Sequence, residues 1–192
     1  MEGVLERTTA PAEFTLAEVF TKEQIRDLGD SEDDLLLEYL AAARNMVETD
    51  SRRALLPQTW RLFLDCYPEC GTIKLPVCPV SAVSSFQVYN TSGAWQTLTE
   101  GTDYVVDLVS EPARICRAYG AIWPTHKTSY PNCIKITFTA GYADVDAVPP
   151  VAKQAMRLLA GHWYRNRTPV AMVSATSEIE FTYSGLIKRL RY

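Results

Sequence analysis

Apolar side chains recur at helical spacing in two long stretches of the chain. The first stripe comprises Leu36, Leu40, Ala43 and Val47. A helix buries such a stripe against its neighbours, because residues three and four apart lie on one face. Acidic residues precede the stripe at 32–34, where the positive end of the helix dipole favours them. We therefore predict a helix over 32–53.

The second helical stripe lies in the last quarter of the chain. It comprises Val151, Ala155, Leu158 and Leu159, and it follows a pair of prolines at 149–150. Proline is well tolerated at the start of a helix, where the backbone N–H groups have no intrahelical partner. A further proline, Pro169, would interrupt the helix. The pattern predicts a second long helix over 149–167.

Between the two helices the pattern changes to alternation. Ile134, Ile136 and Phe138 alternate with polar residues, as in a strand with one buried face. Similar short segments occur at 60–64, 83–89, 95–98 and 104–108. Eight of the eleven prolines lie between 57 and 149, as expected where tight loops join short strands. We predict an antiparallel β-rich insert over 57–142, and hence an α+β fold.

The amino-terminal region has a weaker pattern. Residues 1–11 predict a loose arm, and two capping-box sequences predict one or two short helices between 15 and 28. We group 1–30 as an N-terminal arm with short helices. The helix, the β-rich insert and the second helix then form one domain over 31–168.

The carboxyl-terminal region is basic. Residues 170–183 show no clear period, whereas 184–192 can form a short amphipathic segment, and we group 169–192 as a C-terminal arm. Residues 149–192 carry 2 acids and 7 bases, a charge of +5, whereas residues 1–56 carry 13 acids and 6 bases, a charge of −7. Such asymmetry is typical of surfaces that meet a partner, although solvated helix faces show it too.

Composition excludes several classes of protein. The 192 residues are 47% hydrophobic and 22% charged, which suits a packed core and not a disordered chain. No apolar run approaches the roughly 18 residues that a membrane helix needs, so we expect no membrane contact and a cytoplasm-like compartment. The net charge of −4 argues against a dedicated nucleic-acid binder, which presents a strong basic face.

Candidate catalytic chemistry is sparse. No nucleophile elbow, phosphate-binding loop, dinucleotide fingerprint or zinc-protease motif occurs in the chain. The five cysteines are odd in number and lack zinc-knuckle spacing. A cysteine hydrolase would require a thiol close to His126 or His162 in the fold. We predict that the chain is not an enzyme and has no catalytic residues, no metal and no cofactor.

Four segments, taken in order, resemble a known family. They are RALLPQTW at 53–60, PARI with YGAIWP within 112–124, IKITFTAGY at 134–142, and VPPVAKQA with HWYRNR within 148–167. The series resembles the head–tail connector (adaptor, or head-completion) proteins of tailed bacteriophages, which also occur in prophages and gene transfer agents. The resemblance covers about 31–168.

The resemblance implies a structural virion protein. Connectors of this family form a homo-oligomeric ring, usually of twelve copies, beneath the portal protein at the head–tail interface. The ring extends the DNA channel, through which duplex DNA passes without sequence-specific binding, and offers a docking surface to stopper or tail-completion proteins. The family's helices form a bundle, so the expected fold class is a helical bundle with an inserted small antiparallel β-rich portion. Assembly is expected in the host cytoplasm.

Two groups of residues are candidate interaction sites under this interpretation. An acidic lumen lets DNA slide because it does not hold the phosphates, and the acidic residues at the start of the first long helix are predicted to face the channel: Glu32, Asp33, Asp34 and Glu38. The basic amphipathic segment is predicted to dock on the portal: Leu186, Ile187, Lys188, Arg189, Leu190, Arg191 and Tyr192.

An alternative function uses the aromatic residues of the β-rich insert. Trp95, Tyr104 or Trp123 could form a stacking platform for a small ligand or a glycan. Exposure of these rings on one face of a sheet would favour this alternative, and burial of all three would exclude it.

Overall fold

The structure, a computed structural model, describes residues 3–20, 33–127, 130–165 and 173–191, with the backbone alone over 173–181. The chain divides into two compact units. We call the first, formed by Met1–Pro11 and Pro57–Gly141, the β unit, and the second, formed by Ala12–Leu56 and Tyr142–Tyr192, the helical unit.

Two antiparallel sheets form the β unit. The five-stranded sheet has the order β1-β2-β8-β4-β5, and the three-stranded sheet has the order β3-β7-β6. The strands are β1 (Val4–Arg7), β2 (Gln58–Leu64), β3 (Thr72–Lys74), β4 (Val80–Tyr89), β5 (Trp95–Thr97), β6 (Tyr104–Asp107), β7 (Arg114–Arg117) and β8 (Ile134–Ala140). Strand β8 is central and pairs with β2 on one side and β4 on the other.

The core of the β unit follows from the alternation in its strands. Ile134, Ile136 and Phe138 of β8 are fully buried, whereas Lys135 and Thr137 between them are half-buried. The rings of Phe86 and Tyr104, with centroids 5.2 Å apart, join the five-stranded sheet to the three-stranded one. The inner faces of the two sheets therefore share one core.

The helical unit contains α1 (Leu16–Val19), α2 (Asp33–Ser51), α3 (Pro150–Arg165) and α4 (Val173–Leu190). The apolar stripes identified in the sequence are buried, including Leu36, Leu40, Ala43 and Val47 of α2 and Ala152, Ala155, Met156 and Leu159 of α3. Helix α2 also buries a charge, because the Arg44 guanidinium donates hydrogen bonds to the Glu13 carboxylate (2.8 Å) and to the Ala12 carbonyl (3.1 Å). These bonds tether the segment before α1 to α2.

The predicted fold class, a helical bundle with an inserted small antiparallel β-rich portion, is wrong. The β-rich part is a unit of two antiparallel sheets that takes up half of the chain, and it is not a small insert in a helical bundle. The error arose because β3 and β7 have only three and four residues. Strands this short carry too little alternation to be recognised, so the three-stranded sheet was not foreseen.

The structure also differs from two predictions about the ends of the chain. The described part of 1–11 is not a loose arm, because β1 pairs with β2 along all four of its residues. The stretch 170–183, predicted to lack periodic structure, enters α4 at Val173, and this helix continues to Leu190. Helices α2 and α3 lie inside the predicted ranges 32–53 and 149–167.

Candidate interaction surfaces

The acidic residues predicted to face a channel lie in the first two turns of α2. Asp34 and Glu38 are exposed and Asp33 is half-buried, while Glu32 lies outside the described residues. Leu37 is also exposed on this part of the helix. The outward face of α2 therefore begins with carboxylates, placed where the helix dipole stabilises them.

The residues predicted to dock on a portal lie at the end of α4 and differ in exposure. Ile187 is 5% and Leu190 is 4% exposed, and both belong to the core of the helical unit. Lys188 and Arg189 are exposed, and Leu186 is half-buried. Arg191 is exposed just after the helix, and Tyr192 lies outside the described residues. The basic side chains of this segment are thus accessible, whereas most of its apolar surface is already covered.

Hydrogen bonds to the end of α2 hold this last part of α4 in place. The Tyr183 hydroxyl donates to the Asp50 carboxylate (2.7 Å), and the Arg191 guanidinium donates to the Asp50 carbonyl (2.6 Å). The Arg53 guanidinium donates to the Leu190 carbonyl. Burial, and then the hydrogen bond to Asp50, raise the pKa of the Tyr183 hydroxyl well above its usual value. Tyr183 therefore remains a neutral donor at physiological pH.

The three aromatic residues of the alternative function do not form one platform. Tyr104 is 4% exposed, and Trp123 is half-buried with its ring stacked on Tyr67 at 5.1 Å. Both Tyr104 and Trp123 contact the ring of Phe86, which is fully buried. Two of the three rings therefore pack against the interior of the β unit, and Trp95 is the one that is exposed.

Trp95 belongs to a different set of rings, which sequence reasoning did not find. The ring of Tyr89 contacts Trp95 at 5.3 Å and stacks on Tyr130 at 4.5 Å. The Lys135 ammonium lies 4.7 Å from the centre of the Trp95 ring, and the Lys127 ammonium lies 5.8 Å from Tyr89 and 5.9 Å from Tyr130. We call these five side chains the aromatic–lysine surface. Cation–π attraction holds its two charges over apolar rings.

A second surface feature missed from the sequence is the turn between β6 and β7. Val109 is 94% exposed, and its neighbour Leu108 is also exposed. The Asp107 carboxylate accepts hydrogen bonds from the backbone N–H groups of Val109 and Ser110, both at 3.1 Å, and from the Ser110 hydroxyl at 2.7 Å. It also binds the Arg114 guanidinium at 2.6 Å. These bonds hold the pKa of Asp107 far below its usual value, with Ser110 and Arg114 as the main causes.

One of the five cysteines, Cys133, lacks the features of a nucleophile. The Cys133 thiol is buried and donates to the Asp65 carbonyl at 2.8 Å. Burial raises the pKa of this thiol, which disfavours the reactive thiolate. Across the described ranges, no three His, Cys, Asp or Glu side chains form a group that could hold a metal ion. In the same part of the chain, no helix is both long and apolar enough to cross a membrane.

The chain is similar over nearly its whole length to chains of solved gene transfer agent (GTA) particles. A chain of the neck of an empty GTA particle, computed with C6 symmetry, is 30% identical with a TM-score of 0.75, and the match covers 98% of this chain and 95% of that one. A chain of the virion of a native GTA particle is 28% identical with a TM-score of 0.75, covering 97% and 94%. A chain of the native neck computed with C12 symmetry is 29% identical with a TM-score of 0.68, covering 98% and 94%.

No protein-family model and no curated protein matches the chain. The similarity to the GTA chains nevertheless spans both the β unit and the helical unit, so it does not depend on one common motif. At this identity and coverage, the chain belongs to the family of phage-like neck proteins found in gene transfer agent particles.

Proposed function

We propose that this chain is the head–tail adaptor of a phage-like particle. Its copies form a ring beneath the portal protein, extend the DNA channel and present the surface on which a stopper or tail-completion protein docks. The observation that carries the proposal is the near-complete structural match to chains of GTA necks. Those necks were computed with C6 and C12 symmetry, which supports a ring, and we propose twelve copies.

A ring needs two different faces on each copy. Head-to-tail contacts join unlike surfaces of neighbouring copies. The ring closes when the rotation between neighbours is a whole-number fraction of a full turn. The charge of −7 over 1–56 and of +5 over 149–192 supplies surfaces of opposite sign. Such complementarity accelerates and orients association more than it tightens the complex.

The acidic start of α2 is proposed to line the channel or its rim. Asp34 and Glu38 expose their carboxylates, and Asp33 and Glu32 precede them in the sequence. Negative charge repels the phosphates of the duplex, so DNA would pass without being held. The role is mechanical and electrostatic and needs neither a catalytic residue nor a cofactor.

The end of α4 is proposed to contact the portal through its basic side chains. Lys188 and Arg189 are exposed, whereas Ile187 and Leu190 stabilise the helical unit itself. The segment would therefore act as a folded, charged surface and not as an arm that orders on docking. Docking would occur in the host cytoplasm during assembly of the particle.

Electron microscopy of the purified chain, with and without the portal protein encoded beside it, tests the proposal. We expect rings, on the portal or alone, whose symmetry gives the copy number. A chain that stays monomeric and leaves the portal unoccupied would contradict the adaptor function.

A charge reversal then tests the portal contact separately. The double variant Lys188→Glu/Arg189→Glu should lower the melting temperature only slightly, because both side chains are exposed and the only loss is their favourable interaction with the negative end of the α4 dipole. It should abolish co-sedimentation with the portal. The matched control is Lys153→Glu/Arg165→Glu on α3, which makes the same change of net charge in the same unit and should retain portal binding. Equal portal binding by the wild type and the α4 variant would refute the role of this segment.

A further inference from the structure

The β6–β7 turn presents an apolar tip to the surroundings. Leu108 and Val109 form this tip, and the Val109 side chain is almost fully exposed. Residues 108–113 join the two strands, and such connections are built more often from Gly, Pro, Asn, Asp and Ser than from aliphatic residues. Two adjacent exposed aliphatic side chains are too small a patch to mark an interface by themselves, but they can anchor a larger one.

The tip is also held in one conformation. The Asp107 carboxylate accepts hydrogen bonds from the backbone N–H groups of Val109 and Ser110, and Arg114 of β7 binds the same carboxylate. A rigid anchor loses little conformational entropy when it binds, so more of its burial energy is available for association. The tip therefore has the structure of a preorganised anchor.

The aromatic–lysine surface has complementary chemistry. Trp95 and Tyr130 are exposed aromatic side chains, and residues of this kind dominate the energetic centres of interfaces. Lys127 and Lys135 give the surface positive charge. The tip is followed closely by Glu111, whose side chain is exposed and negatively charged.

The tip and the aromatic–lysine surface lie on different sheets of the β unit. The tip belongs to the hairpin of the three-stranded sheet, and the surface is built on β4, β5 and β8 of the five-stranded sheet and the loop before β8. One copy can thus offer its tip to one neighbour and receive the tip of another. This is the head-to-tail contact that a closed ring requires.

We propose that the Leu108–Val109 tip of one copy packs on the aromatic–lysine surface of the next copy in the ring. The inference rests on the proposed adaptor ring and names a contact within it. Two side chains are too few to form a stable interface alone, so the contact is an anchor within a larger interface.

Site-specific photocrosslinking tests this contact in the assembled ring. A benzoylphenylalanine replaces Val109 in the full chain, which is produced with the portal protein, and the rings are identified by electron microscopy before irradiation. The control carries the same probe at Val105, an exposed valine of the same hairpin. We expect a covalent dimer of the chain from the Val109 probe, with the crosslink mapped by mass spectrometry to residues 89–95 or 127–135.

The possible outcomes distinguish failure of this contact from failure of the proposed ring. Rings with a crosslink at another part of the chain, or to another protein, would overturn the contact and leave the adaptor ring standing. Absence of rings from the unmodified chain would overturn both. As a second measurement, Val109→Lys should reduce ring formation on the order of tenfold or more, because it removes the packing of one valine, which corresponds to at least that factor, and places a like charge against Lys127 and Lys135. Val105→Lys should not reduce it, and equal effects of the two variants would contradict the proposal.

Discussion

Truncation of Ile187 would reveal whether the end of α4 is part of the fold or a dispensable arm. In the structure this side chain is 5% exposed and belongs to the core of the helical unit. Ile187→Ala removes three buried carbon atoms and leaves a cavity. The two losses together cost about 3 kcal/mol at a site that cannot collapse. For a chain of 192 residues, each kcal/mol lowers the melting temperature by roughly 2–4 °C, so we expect a fall of about 6–12 °C.

Differential scanning calorimetry, with urea unfolding followed by circular dichroism at 222 nm, measures the effect. The matched control is Arg189→Ala, two residues away on the exposed side of the same helix, which should change the free energy of unfolding by less than about 0.5 kcal/mol. An unchanged melting temperature for Ile187→Ala would refute the reasoning. It would mean that the end of α4 is not packed on α2 in the free chain and behaves as an arm.

Three further results are expected from the β unit. Because the folded-state pKa of Asp107 is depressed, its stabilising bonds are fully present above the ordinary carboxyl value near 4 and are lost as the pH falls through the lower folded value. The protection of the Val109 amide, which is its exchange rate compared with that of an unstructured amide at the same pH, should therefore fall in strong acid and should lose this pH dependence in Asp107→Asn. Gly3→Ala should detach β1, since the added Cβ would lie 2.7 Å from the Phe63 carbonyl oxygen, and faster proteolysis of the amino terminus would report it. A thiol reagent at pH 8 should label the exposed Cys70 well before Cys133, whose thiol is buried and has a raised pKa; equal rates would contradict this burial.

The long elements were predictable because their patterns are local. The stripe of α2 and the alternation of β8 each repeat over many residues, and both faces proved to be buried as the periods indicate. Residues 83–89 and 104–108, predicted as strands, overlap β4 and β6. The order of motifs along the chain also pointed to phage-like neck proteins before any structural comparison.

The shape of the β-rich part was not predictable in the same way. A three-residue strand such as β3 exists because β7 pairs with it from a distant part of the sequence, with Ile73 opposite Ile115, and no local period records such pairing. The N-terminal strand β1 likewise depends on β2, more than 50 residues later. These non-local pairs made the β unit larger than an insert in a helical bundle.

The candidate surfaces show the same difference between features that depend on local sequence and features that depend on distant segments. The amino-acid sequence by itself determined the amphipathic helices, the longer strands, the separation of charge between the two ends and the resemblance to connector proteins. The tertiary structure alone decided that Ile187 and Leu190 are core residues and that the Val109 side chain is exposed to solvent. It also brought Tyr130 onto Tyr89, 41 residues away. The physical reason is that exposure and ring contacts depend on which distant segments pack together, whereas periodicity reports only which side of its own element a residue occupies.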